Sequence, residues 1–133
     1  MYNKALGAQP GVLQAARPDY NQPQDFGLFS LTEQDGVLPD RIEVVTINSL
    51  ELPRLDFLKI DVEGMEIDVL NGARRSLDAY RPCAWIEYWK VAISDIKSAF
   101  DGLDYLFYQM DPLNMLCLPA GRFPSLTVDA ALL

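Results

Sequence analysis

Hydrophobic and polar positions divide the chain near residue 55. From there on they fall into alternating strand-like and helix-like periods. "LDFLKIDV" (55–62) is a dense apolar run that predicts a buried strand. "EIDVLNGARRSLDAY" (66–80) places Val69, Leu70, Ala73, Leu77 and Tyr80 on one face at helical spacing. Glu66 and Asp68 in its first turn, with Arg74 and Arg75 further along, complement the helix dipole, and Pro82 marks the stop. Gly72 inside that helix costs about 1 kcal/mol against Ala, and close helix–sheet packing is the expected reason for it. "CAWIEY" (83–88) predicts the next strand. "VAISDIKSAFDGL" (91–103) predicts a second helix, with Ile93, Ile96, Ala99, Phe100 and Leu103 on one face. "DYLFYQM" (104–110) and "MLCLP" (115–119), joined by Asp111-Pro112-Leu113-Asn114, predict an antiparallel hairpin.

The N-terminal part is less regular. "YNKALG" (2–7) and "GVLQAA" (11–16) flank the turn signal Gln9-Pro10-Gly11 and are expected to pair as a hairpin. Residues 17–40 are rich in Pro, Gly, Asn, Asp and Gln and predict a long loop. "RIEVVTINSL" (41–50) reads as a strand exposed on one side. The expected organisation is one domain: irregular strands and a loop over 1–54, an α/β core over 55–119 and a tail over 120–133. Strand–helix–strand–helix order implies a parallel pair, and ligands of such sheets gather at the carboxyl ends of the strands. Asp61, Glu63 and Gly64 follow the first of these strands, and Glu87 and Tyr88 end the second.

Composition removes several classes of function. The net charge is −8, and no basic cluster exceeds Arg74-Arg75, so nucleic acid and anionic membrane surfaces are excluded as partners. No apolar run reaches the length of a bilayer span, and Met1-Tyr2-Asn3-Lys4 does not lead into a signal-peptide core. Cys83 and Cys117 lack C-x-x-C spacing and read as core thiols in a reducing compartment, which points to the cytoplasm. The 133 residues contain no histidine. Ser-His-Asp and Cys-His nucleophile systems and His-rich zinc sites are thereby excluded. Acid–base or metal chemistry falls to carboxylates, Lys, Tyr or Cys, or to another chain.

Asp61 and Glu63 are the leading candidates, against the ordinary alternative of acids that brace a helix N-terminus. Lys59, set in the apolar run, is expected to pair with Glu87 or another acid of the sheet, because an isolated buried ammonium is costly. Glu66 is expected to act as a helix-terminal acid and Trp85 as a packing residue. The acids Asp61, Glu63 and Glu87 also have the chemistry to hold Mg²⁺, though nothing beyond their clustering supports that reading.

The run "DFLKIDVEGMEIDVLNGARRSL" followed by "RPCAWIEY" resembles the FkbM-type S-adenosylmethionine-dependent methyltransferases, with looser similarity through "VVTINSL" and "NKALG". The resemblance implies a Rossmann-like class I methyltransferase sheet, mostly parallel with a C-terminal antiparallel hairpin. It implies methyl transfer from S-adenosylmethionine to an oxygen of a small metabolite or sugar. Asp61 and Gly64 would lie beside the cofactor, Asp61 and Glu63 would position or deprotonate the acceptor hydroxyl, and Glu87 and Tyr88 would line the acceptor site, with no metal. The family's first strands and glycine-rich cofactor loop have no counterpart, since the eight glycines never form G-x-G. Weak cofactor binding by this chain alone is therefore expected, and the alternative reading is a non-catalytic, self-associating α/β module. In the family's sheet the strand at 55–62 pairs outward with the missing first strand. Its bare edge is expected to be covered by residues 2–16 or 41–50 or, as the favoured outcome, by a homodimer formed edge to edge.

Overall fold

The computed structural model describes residues 4–15 and 40–133; the expected loop at 17–40 lies almost wholly outside the described residues. The described elements are β1 (Ala5–Leu6), β2 (Gly11–Ala15), β3 (Asp40–Val45), a 3₁₀ turn (Ile47–Leu50), β4 (Phe57–Ile60), α1 (Glu66–Gly72), α2 (Arg74–Tyr80), β5 (Cys83–Glu87), α3 (Ile93–Ala99), β6 (Tyr105–Gln109), β7 (Asn114–Pro119) and β8 (Ala131–Leu132). No helix among them is long and apolar enough to cross a membrane.

Two sheets result. The smaller has the order β1-β3-β2. β1 and β2 do not form the expected hairpin: β1 runs parallel to β3 and β2 antiparallel to it. The local turn at Gln9-Pro10-Gly11 brings the two segments near each other, but β3 takes the place between them.

The larger sheet has the order β4-β5-β7-β6-β8. Only β4 and β5 are parallel, and the other three pairings are antiparallel. The expectation of a mostly parallel sheet is thus corrected. A turn as tight as Asp111–Asn114 can join only antiparallel strands, and the hairpin it makes inserts its second strand, β7, against β5. The hairpin itself and the parallel pair follow the sequence pattern.

The residues predicted as one helix over 66–80 form two, α1 and α2, meeting at Ala73. A Cβ built on Gly72 would lie 2.0 Å from the Gly7 carbonyl oxygen and 3.3 Å from Thr46 Cβ. The glycine therefore serves close packing of α1 on the small sheet, where no side chain fits. Both helices bury the apolar face expected of them, through Val69, Leu70, Ala73 and Leu77, and α3 adds Ile96. These residues form one core with Leu58, Ile60, Ala84, Ile86, Met115 and Cys117, which alternate with outward positions on β4, β5 and β7. All three helices thus cover the same face of the sheet.

The strand β4 is consequently buried on one side only. Leu58 and Ile60 are buried, whereas Phe57 is 57% exposed and Lys59 is also exposed. This corrects the expected fully buried strand. The C-terminal tail is tied back by Arg122, whose guanidinium donates to the Tyr80 and Arg81 carbonyls and to Asp56. It ends in β8 against β6.

Replacing Gly72 with alanine improves helix propensity by about 1 kcal/mol but forces a methyl group into the Gly7 carbonyl. We expect a net loss of roughly 1–3 kcal/mol, the usual cost of overpacking, in urea unfolding. Asn71→Ala, at an exposed neighbouring position, should change stability by less than about 0.5 kcal/mol.

Candidate functional site

The parallel register of β4 on β5 pairs Lys59 with Trp85 and Ile60 with Ile86. One residue further, Asp61 and Glu87 leave the two strands side by side on the face opposite the helices. Glu63 and Gly64 then take positive φ values of 55° and 103°, turning the chain sharply into α1. A non-glycine residue in that region is uncommon. The turn is fastened by the Gly64 N–H, which donates to Glu66 Oε1 at 3.0 Å.

The outcome is a convergence of acids at the carboxyl end of the parallel pair. One carboxylate oxygen from each of Asp61, Glu63 and Glu87 lies within 4.8 Å of the others. Two ammonium groups partly neutralise them. Lys59 Nζ donates to Asp61 Oδ2 at 2.7 Å, and Lys90 Nζ lies 2.7 Å from Glu63 Oε2 as an ion pair. Lys59 thus has the carboxylate partner expected of it, from its own strand face rather than from a buried environment.

Asp61 and Glu87 shift in opposite directions. The hydrogen bond from Lys59 holds Asp61 below the ordinary carboxylate range, and a second hydrogen bond from Glu87 pushes the same way. The hydrogen bond with Asp61 raises Glu87, assisted by burial and by the charges of Asp61 and Glu63. Two carboxylates this close resist joint ionisation, so Asp61 ionises first and Glu87 at higher pH than an ordinary glutamate. Such a pair can accept a proton from a hydroxyl or orient it. The three acids also have hard-cation chemistry, but amines already sit on Asp61 and Glu63.

The structure places the remaining candidates as follows. Gly64 lies on the turn beside Lys90, whose Cδ is 3.4 Å from the position a Cβ would take. Tyr88 is 8% exposed and belongs to the core; its hydroxyl accepts from Gln109 Nε2 at 3.1 Å, on the hairpin side. Trp85 is half-buried, and its indole N–H donates to Asn114 Oδ1 at 2.9 Å. Glu66 is 1% exposed and braces the turn, as a helix-terminal acid does. Lys90 is the member that the sequence reading missed. Its signal was position alone, three residues past the acid that ends β5. Asn114 is the residue directly across from Glu87, and Asp111 fixes its placement by accepting from the Asn114 backbone N–H at 2.9 Å.

Comparison with known proteins adds two findings. The model of the FkbM methyltransferase domain matches residues 6–111. Among solved structures, the crystal structure of methyltransferase FkbM from Methylobacillus flagellatus KT is similar, with a TM-score of 0.57 and 18% sequence identity. That alignment covers 87% of this chain and 27% of the other, so the chain spans about a quarter of that protein's length. No curated protein matches the chain.

The paired titration has a consequence for stability. The raised Glu87 favours the fold while protonated, and that contribution is lost as pH rises through its raised value. The depressed Asp61 contributes above the ordinary carboxylate range and ceases to do so as pH falls through its lowered value. Glu87→Gln should therefore match the parent protein under mildly acidic conditions and be more stable at neutral pH. The gain should be about 0.2–1 kcal/mol, the scale of one cross-strand pair, toward the lower end because solvent screens the site. Urea midpoints of both proteins across this pH range check the sign.

Proposed function

The chain belongs to the FkbM methyltransferase domain family, and from that premise we propose that it serves S-adenosylmethionine-dependent methyl transfer to a hydroxyl oxygen of a small metabolite or sugar. The observation that carries the reading is the Asp61–Glu87 pair at the carboxyl end of two parallel strands. Ligands of α/β sheets collect at that position, and a carboxylate with a raised pKa is suited to act as a general base near neutrality.

The donor set suits both reactants. Carboxylates accept hydrogen bonds from ribose and acceptor hydroxyls, and a cluster of acids favours a nearby sulfonium cation. Asp61 and the open backbone at Gly64 are the groups we assign to the cofactor side. S-adenosylmethionine supplies an electrophilic methyl group when bound. On the acceptor side, Asp61, held ionised by Lys59, orients the hydroxyl, and Glu87 in its deprotonated form takes the proton as the oxygen becomes methylated. Glu63, held by Lys90, shapes the same rim and contributes to the charge that raises Glu87. Catalysis of this kind rests chiefly on proximity and orientation. Tyr88 supports the site from behind, through the strand end that carries Glu87. Without a G-x-G turn in the sequence, the chain on its own should bind the cofactor weakly.

The test is transfer of labelled methyl from S-adenosylmethionine to a panel of sugars and hydroxylated metabolites. Glu87→Gln should reduce turnover by roughly 10²–10⁴-fold, the range of one general base. Activity of the parent protein should fall as pH drops through the raised Glu87 value, because the base is then protonated. Absence of transfer to every acceptor, with no heat on titrating S-adenosylmethionine, would favour the non-catalytic module instead.

A further inference from the structure

Asn114 stands directly opposite Glu87 in the antiparallel ladder of β5 and β7, so the two side chains share the face of the sheet that carries the acids. Residues paired in this way have Cβ atoms about 4.5–5.5 Å apart, within reach of a hydrogen bond from an amide to a carboxylate. A primary amide at that place is the natural donor to Glu87. It does not serve as one. The groups that shift Glu87 are Asp61, Glu63 and Lys59, together with burial.

The amide is committed elsewhere at both ends. Its Oδ1 accepts from the Trp85 indole N–H at 2.9 Å. Its Nδ2 donates to both carboxylate oxygens of Asp111, each at 3.1 Å. The two ends cannot be exchanged, because an indole N–H only donates and an ionised carboxylate only accepts. Asp111 is fixed in turn by the hairpin: its Oδ1 accepts from the Leu113 and Asn114 backbone N–H groups at 2.8 and 2.9 Å. The Leu113 N–H, followed by the Asn114 side chain, holds the Asp111 carboxyl below the ordinary range. It is therefore an ionised acceptor at neutral pH.

We propose that Asp111 is a positioning residue for Glu87: with Trp85 as the second anchor, it holds the Asn114 amide away from the carboxylate across the strand pair. The tight turn thereby does more than join β6 to β7. A hydrogen bond donated to a carboxylate favours its charged form and weakens it as a base. Glu87 already faces Lys59 and Asp61 from β4 and Glu63 from the turn that follows, where Lys90 is paired to Glu63. Lys59 is the one group of these that opposes the raised value. A further donor from Asn114 would return Glu87 toward an ordinary glutamate, and Asp111 withholds it. Asp111 bears on catalysis only through the proposed role of Glu87 as general base; its effect on titration stands without that role.

The experiment follows the Glu87 carboxyl carbon by NMR through a pH titration of the full chain, with circular dichroism to verify folding. Asp111→Ala frees the amide, and Glu87 should titrate roughly one pH unit lower than in the parent protein, the scale of one hydrogen bond to a charged group. Asp111→Ser keeps a hydroxyl that can accept from the turn and should move Glu87 in the same direction. Asn114→Ala removes the donor and should leave Glu87 at its parent value. Adding Asp111→Ser to that variant should then change nothing further, whereas an effect of the Asp111 charge by itself would be equal in both backgrounds. In the methyl-transfer assay, the acid limb of the pH profile should move down with Glu87 in Asp111→Ser. A Glu87 unmoved in the folded Asp111 variants would overturn the proposal, and so would an equal shift with and without Asn114. A shifted Glu87 in a protein that transfers no methyl group upholds the positioning and counts against the proposed function alone.

Discussion

Two carboxyl groups held side by side by the parallel register of β4 on β5 set the character of the molecule's acidic rim. Ile60 and Ile86 are fixed opposite each other by the core, so Asp61 and Glu87 have no freedom to separate along the strands. The conflict is relieved locally: Lys59 takes one carboxylate, and the other is raised above the ordinary glutamate value by its hydrogen bond with Asp61. Buried isoleucines on one face of the sheet thereby produce an acid–base pair on the other. Packing and chemistry meet at a single register.

The layers support this arrangement unevenly. The helices cover only the face that carries Leu58, Ile60, Ala84 and Ile86, and the small sheet is docked against α1 through the contact of Gly72 with Gly7. The opposite face keeps the charged groups in contact with water, where Asp61 and Lys59 remain accessible. The same openness leaves β4 with a bare edge among the described residues.

Much of this was legible in the sequence. A strand–helix–strand order implies a parallel pair, and parallel strands end on the same side, so Asp61, Glu63 and Glu87 are brought together by topology alone. The partner of Lys59 was also within reach, since residues two apart on a strand share a face. The burial of β4 was not legible, because Phe57 is apolar yet exposed, and an apolar residue masks the alternation that would reveal an uncovered face. The pairing of β1 and β2 was misread for a different reason. A turn signal is local, whereas insertion of β3 between the two strands is a long-range choice spanning the intervening residues 16–39. Close packing at Gly72 was legible, but its partner, the Gly7 carbonyl, lies more than sixty residues away, and the break of the 66–80 helix at Ala73 carried no signal.

The central claim is that proximity of Asp61 and Glu87 splits their titration, holding Asp61 low and Glu87 high. Its most direct test is titration of the side-chain carboxyl carbons by NMR in the parent protein and in Asp61→Asn. We predict that Glu87 titrates above the ordinary glutamate range of about 4.2 ± 0.9 in the parent protein, with Asp61 below its own range. In Asp61→Asn, Glu87 should fall back toward the ordinary range, because the neighbouring negative charge is gone. A Glu87 that titrates normally in the parent protein, or is unmoved by the substitution, would contradict the account.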